Sequence, residues 1–187
     1  MFELLLVDNF LDPATLDAVL TDVRAAAGAA ATVYGLGAPK KVVPSVRQAA
    51  LLEVSEATRN LVDQRLTDLT PALTERFGVA LSGHEPPQFL RYETGGFFVA
   101  HQDGNTPLTR DASLDRRVSI VIFLNTEYTG GELMFHAPYP NVDTRQAVVG
   151  AAGSLVAFRS ETTHEVMMVT GGERYTIATW FRDRRAA

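Results

Sequence analysis

The chain has 187 residues, 46% hydrophobic and 21% charged, which suits one globular domain with a real core and excludes intrinsic disorder. Seventeen basic against 22 acidic residues leave a net charge of −5, so neither nucleic acid nor anionic lipid is an expected partner. There is no cysteine, which removes disulfides, thiolate zinc sites, iron–sulfur clusters and cysteine nucleophiles together. Any metal must therefore be held by carboxylates and by the four histidines.

Residues 2–7 are apolar but interrupted by Glu3, lack a basic leader, and are too short for a signal peptide. No later run reaches the roughly 18 apolar residues that a membrane span needs. A cytoplasmic protein without membrane contact is the expectation.

In chain order, Asp12-Pro13 predicts a helix start, because Asp caps free amides and Pro has no N–H to leave unpaired. Leu16, Val19, Leu20 and Val23 follow at helical spacing, and Gly28 ends the pattern. Residues 28–47 mix Gly, Pro, Ala and Lys without period and read as a loop with room for a short hairpin. A second amphipathic helix begins near Glu53 and carries Leu61, Val62, Leu66, Leu69, Leu73 and Phe77. Thr70-Pro71 inside it is either a kink or a fresh start.

From Pro86 the pattern changes to short β-prone runs: 88–92, 97–101, 117–124, 132–135, 147–150, 154–158, 164–169 and 173–181. Gly95-Gly96, Gly130-Gly131, residues 150–153 and Gly171-Gly172 punctuate them. Eight strands with glycine turns predict a sandwich or barrel, and helices followed by strands predict an α+β fold. The expected organisation is a single domain over 1–187, with a helical support and lid region over 1–85 and the β core over 86–182.

His101 and Asp103 close a predicted strand. In an extended chain residues i and i+2 point to the same side, so both can meet one metal or simply lie in solvent side by side. His84, His136 and His164 are candidates for a third ligand; His164 is the best placed, since it opens an apolar strand. Two histidines and one carboxylate on one face of a metal form the facial triad of non-haem Fe(II) oxygenases. Arg174 lies across the Gly171-Gly172 turn from His164, and a hairpin there would carry it into the barrel. A buried guanidinium needs a carboxylate: Glu173, Glu161, or a dicarboxylate cosubstrate.

The block from Arg91 to Asp103, RYETGGFFVAHQD, resembles the R-Y-x-x-G-x-x-F-x-x-H-x-D block of the prolyl 4-hydroxylase-type 2-oxoglutarate/Fe(II)-dependent dioxygenases. Phe123-Leu124-Asn125 with Gly130-Gly131-Glu132-Leu133 is similar to that family's L-N…G-G-x-L segment. Residues 153–158, His164-Glu165-Val166, Arg174-Tyr175-Thr176-Ile177 and Trp180-Phe181 resemble its closing strands. Residues 7–11 resemble the segment before its first helix.

The resemblance implies a double-stranded β-helix, or jelly-roll, braced by N-terminal helices. It implies Fe(II) held by His101, Asp103 and His164, with O2 as oxidant and ascorbate as a candidate reductant. It implies that Arg174 pairs with the distal carboxylate of 2-oxoglutarate, that Tyr92 and Thr176 help hold this cosubstrate, and that Trp180 lines the pocket. Phe123 stands where the oxygen-sensing branch has a tyrosine bonding the cosubstrate, a departure for which Thr176 or Tyr92 would compensate. The implied activity is hydroxylation of an unactivated C–H bond in a prolyl residue of a protein or peptide. The alternatives are a free amino acid or small metabolite as substrate, or a non-oxidative cupin-like metal-binding module.

The other residues have blander expectations. His84 reads as a loop residue, His136 as an exposed turn residue, and 182–185 as a solvated tail. Tyr34, Lys40 and Arg47 fall on the early segment, where related enzymes place a lid. Substrate choice is expected to lie in loops 28–47, 104–116 and 136–146.

Overall fold

The computed structural model describes residues 2–35, 38–106, 112–138, 140–141 and 143–183, without the side chains of 33–35, 38–41 and 112. The side chains of Tyr34, Lys40 and Tyr139 thus lie outside the described residues.

Leu4–Val7 forms β1, followed by helix α1 over Pro13–Ala25. Asp12 caps α1 by accepting from the Thr15 amide at 3.0 Å, with Pro13 in the first turn as expected. The segment 28–47, read as a loop, instead holds three short strands and the start of a fourth, and a fifth follows it. They are β2 (Gly28–Ala30), β3 (Val33–Gly35), β4 (Ala38–Lys41), β5 (Arg47–Gln48) and β6 (Ala50–Leu52), with β3 and β4 forming the short hairpin. Helix α2 spans Glu56–Phe77, starting three residues later than expected because Ser55 caps it through the Thr58 amide. It runs through Pro71 without a fresh start and ends at Gly78, whose φ of 63° is open to glycine at little cost.

The second half supplies β7 (Leu81–His84), β8 (Gln88–Tyr92), β9 (Phe97–His101), β10 (Arg116–Phe123), β11 (Tyr128–Gly130) and β12 (Leu133–His136). It continues with β13 (Arg145–Val148), β14 (Leu155–Arg159), β15 (His164–Val166), β16 (Val169–Gly172) and β17 (Arg174–Asp183). The run 164–169 is thus two strands rather than one. The expected tail also changes: β17 continues through Arg182 and Asp183, which pair with Glu85 and Arg117 at 2.8 and 2.9 Å. Residues 184 and 185 lie outside the described residues.

Two antiparallel sheets carry the fold. The larger runs β1-β14-β10-β17-β8-β6-β2, with β7 also on β17; the smaller runs β13-β12-β15-β9-β5. Period-2 alternation divides the larger sheet's side chains between two cores. Phe89, Leu155, Ala157, Tyr175, Ile177 and Phe181 pack against Val19, Val23, Val62, Leu66, Leu73 and Phe77 of the helices. Leu90, Tyr92, Phe123, Val156 and Phe158 pack against Leu133, Phe135, Val148 and Val166 of the smaller sheet. Helices, large sheet and small sheet form three layers, and His101, Asp103, His164 and Arg174 line a cavity between the sheets.

Candidate metal and cosubstrate site

His101 ends β9, and the chain leaves the strand there. The amides of Asp103 and Gly104 both donate to the Ser160 carbonyl, at 2.9 and 3.2 Å, so the turn carrying Asp103 is fixed to the loop before β15. His164 opens β15 and is the register partner of His101 on the adjacent antiparallel strand. Their ring centroids lie 4.3 Å apart. Asp103 reaches both: Oδ1 is 3.4 Å from His101 Nε2, and Oδ2 is 3.4 Å from His164 Nε2. The three ligand atoms lie within 4.8 Å of one another.

Both imidazoles are oriented from behind. His101 Nδ1 lies 2.8 Å from the Val99 carbonyl and His164 Nδ1 lies 2.9 Å from the Thr162 carbonyl. A carbonyl only accepts, so each Nδ1 carries a proton and each Nε2 is turned toward the cluster. Burial lowers the pKa of His164 from 6.5 to about 4, outweighing the pull of Asp103, and keeps the ring neutral at physiological pH. For Asp103, burial acts to raise the pKa, yet His164, His101 and the Ser119 hydroxyl together hold it far below the ordinary carboxylate range. Two imidazoles and one ionised carboxylate are a fitting donor set for a divalent first-row metal.

The second half of the site comes from β17. Tyr175 and Ile177 face the helices, so the alternate residues Arg174, Thr176, Ala178 and Trp180 face the space between the sheets. They line one cavity together with His101, Asp103, His164 and Tyr92; it encloses about 460 Å³ including its open mouth. The expected hairpin between the His164 and Arg174 strands does not form. β15 pairs with β9 and β12 in the small sheet, and β17 pairs with β10, β8 and β7 in the large one. Arg174 therefore faces the histidines across the sandwich instead of lying beside them.

Arg174 is 1% exposed. Its Nη1 donates to Thr176 Oγ1 at 3.2 Å, while Nε and Nη2 have no partner among the described residues. Tyr92 and Phe123 flank the guanidinium, with ring centroids 5.3 and 5.6 Å from Cζ. Glu173, a sequence candidate to neutralise it, instead accepts from the Tyr175 hydroxyl at 2.6 Å; Glu161 accepts from Asn105 at 3.1 Å. A fully desolvated cation with two orphan donors fits an arriving carboxylate. Phe123 offers Arg174 only a ring face, consistent with its departure from the tyrosine pattern.

The profile of the 2OG-Fe(II) oxygenase superfamily matches residues 87–182, half of the chain and the strands that carry His101, His164, Tyr92 and Arg174. The chain belongs to the 2OG-Fe(II) oxygenase superfamily. Membership implies Fe(II), 2-oxoglutarate and O2. Among related oxygenases, a PKHD-type hydroxylase of Shewanella oneidensis is 36% identical over 99 residues, covering 52% of this chain and 42% of that protein. Another from Stenotrophomonas maltophilia is 34% identical over 98 residues, covering 51% and 42%. The match thus spans under half the length of these relatives. A Pseudomonas putida prolyl-4-hydroxylase superposes with a TM-score of 0.73 at 23% identity, covering 98% of this chain and 94% of that one. A Trichoplax adhaerens prolyl hydroxylase, solved with a hypoxia inducible factor peptide, gives 0.71 at 21% identity, covering 98% and 84%. These superpositions establish the jelly-roll fold of the superfamily.

Around this oxygenase site, three expectations need correction. His84 is in β7, not a loop, and its ring packs 5.2 Å from that of Phe181. His136 belongs to β12 and is half-buried; its Nε2 meets Glu165 Oε1 at 2.9 Å, which removes it from the exposed turn expected. Arg47, assigned to a lid, is a buried wall of the cavity. The composition of a short run cannot reveal these contacts, because each is made by a strand distant in sequence.

The sequence also missed a buried support. Glu85 binds Arg116 through both oxygens at 2.7 Å and Arg182 at 2.8 Å. Arg116 donates to the Asp103 carbonyl at 3.0 Å and lies 3.8 Å above the Trp180 ring. One ion cluster thus steadies both the acidic ligand and the pocket tryptophan.

Proposed function

We propose that this protein is an Fe(II)- and 2-oxoglutarate-dependent dioxygenase that hydroxylates an unactivated C–H bond, with a prolyl residue of a protein or peptide as acceptor. The observation that carries this reading is Arg174: a buried guanidinium with two unmatched donors, opposite a two-histidine, one-carboxylate cluster in the same cavity. A metal-binding module without cosubstrate has no use for such a cation, which argues against the cupin-like alternative.

His101, Asp103 and His164 hold the metal in this reading, and Arg174 with Thr176 receives the distal carboxylate of 2-oxoglutarate. Tyr92 packs along that cosubstrate and Trp180 forms the acceptor side of the cavity. Bound Fe(II) supplies the oxidative decarboxylation of 2-oxoglutarate to succinate and CO2, coupled to insertion of one oxygen atom of O2 into the acceptor C–H bond. The chain's own task is orientation in a dry site: the Nδ1 anchors aim the imidazoles, and the apolar walls from Leu90, Leu133 and Val166 exclude water. Ascorbate would be the candidate external reductant for keeping such a metal in the Fe(II) state. The prolyl acceptor follows the names of the relatives, PKHD-type hydroxylase and prolyl hydroxylase, the latter with a peptide bound.

The test is anaerobic addition of Fe(II) and 2-oxoglutarate. A weak visible charge-transfer band, and succinate formation once O2 is admitted, are expected. Absence of both would sink the reading.

A further inference from the structure

Arg47 is a second guanidinium on the cavity wall with an unmatched nitrogen. It lies on β5, at the edge of the small sheet, as register partner of Phe98 on β9. It is 7% exposed. Its Nη1 donates to the Thr32 carbonyl at 3.2 Å, while Nε is buried with no acceptor. Among the described residues no carboxylate lies within ion-pairing distance of it, whereas Arg116 and Arg182 share Glu85 and Arg91 has Glu93.

The cation is layered toward the metal cluster. Its Cζ lies 4.8 Å from the centroid of the Phe98 ring, and that ring stacks on His101 with centroids 3.6 Å apart and planes 20° apart. A ring face compensates only part of a desolvated charge. The inference rests on the dioxygenase reading, and charge balance then isolates Arg47. The charges of Fe(II) and Arg174 would be matched by Asp103 and the two carboxylates of 2-oxoglutarate, leaving Arg47 without a counter-ion among the described residues.

We propose that Arg47 binds a carboxylate of the acceptor substrate. The guanidinium is separated from the His101 imidazole by one ring only, a span of no more than a few residues of extended chain. The carboxylate and the reacting C–H bond therefore belong to the same or adjoining residues. The acceptor class is then a prolyl residue with a free α-carboxylate at the C-terminus of a peptide, the free amino acid being the other source of the same carboxylate that the experiment distinguishes.

The experiment measures acceptor-stimulated succinate formation for paired probes that differ only in charge. L-proline is set against L-prolinamide, a peptide ending in proline against its C-terminal amide, and a panel of other L-amino acids against their amides. Carboxylate forms are expected to exceed their amides at least tenfold in kcat/KM, with the free and peptide pairs showing which source supplies the group. In Arg47→Gln the KM for the carboxylate form rises at least tenfold and the preference disappears, while Arg47→Lys, which keeps the charge, retains part of it. Equal use of acid and amide, a preference surviving Arg47→Gln, or uncoupled turnover that no carboxylate stimulates overturns this inference alone. No succinate from the wild type under any condition overturns the dioxygenase reading as well. The acid–amide comparison needs only the wild-type protein, so a poorly folding variant does not shelter the proposal.

Discussion

His101 and His164 are direct register partners on neighbouring antiparallel strands, although roughly 60 residues of chain separate them. Register pairing fixes both rings at once, and the turn after His101 then delivers Asp103 between their Nε2 atoms. Asp103→Ala and His164→Ala are expected to abolish saturable Fe(II) or Mn(II) binding at micromolar metal, with secondary structure retained. Titration of metal into the metal-free variants, checked by circular dichroism, measures this.

The lowered pKa of His164 makes a pH prediction for the metal-free protein. The unfolded chain takes up this proton near the ordinary value of 6.5, while the folded chain does so only near 4. Stability is therefore complete above pH 6.5 and is lost as pH falls toward 4, because protons favour the unfolded state in that window. The depressed Asp103 adds its own loss at still lower pH. In thermal unfolding from about pH 7 to 4, His164→Gln should show a flatter slope than the wild type; superimposable slopes would refute the assignment.

Arg174 is predicted to separate binding from stability. Arg174→Met removes an uncompensated buried cation, so the cosubstrate-free protein should unfold at no lower denaturant concentration than the wild type. Its 2-oxoglutarate affinity should fall by about 100-fold or more, since a charge-assisted pair is lost. Thr176→Val removes a hydrogen bond to the charged guanidinium and should cost roughly tenfold or more. Charge-transfer titration with 2-oxoglutarate, beside urea denaturation, reads both quantities.

Gly131 links the paired glycines after Asn125 to the same arginine. Its φ is 68°, and a Cβ there would stand 2.9 Å from Arg174 Cδ and 3.0 Å from Val169 Cγ2. Gly131→Ala should cost about 1–2 kcal/mol for the left-handed backbone alone. By pressing on Arg174 it should also weaken 2-oxoglutarate binding, whereas a purely backbone effect would leave that affinity unchanged.

Glu85 neutralises two arginines inside the fold. Glu85→Ala leaves Arg116 and Arg182 without its carboxylate and is expected to destabilise by about 3–5 kcal/mol. Because Arg116 also donates to the Asp103 carbonyl, metal affinity should fall by roughly 10–100-fold, the usual range for losing an orienting contact behind a ligand. Equilibrium unfolding and metal titration test the two consequences separately.

Much of the site is legible in the sequence because its parts obey local rules. The i, i+2 spacing of His101 and Asp103, and the alternation of Arg174, Thr176, Ala178 and Trp180 along β17, are properties of extended backbone. The helix starts at Asp12 and Ser55 follow from capping chemistry, although the apolar period alone points to an earlier start near Glu53. The hairpin expected between His164 and Arg174 fails for the opposite reason. Gly171-Gly172 suggests a turn, but turn residues do not specify which strands then pair.

Sequence by itself determined the chemistry available to this protein: no thiols, four histidines, and candidate ligand and cosubstrate residues set at strand periodicity within a recognisable family order. Only the tertiary structure decided which histidines meet, that Arg174 faces them from the opposite sheet, and that Arg47 is buried without a counter-ion among the described residues. The physical reason is range. Backbone dihedral preferences and side-chain alternation act over a few residues, whereas sheet pairing and burial are settled by packing the whole core, where residues distant in sequence compete for the same neighbours.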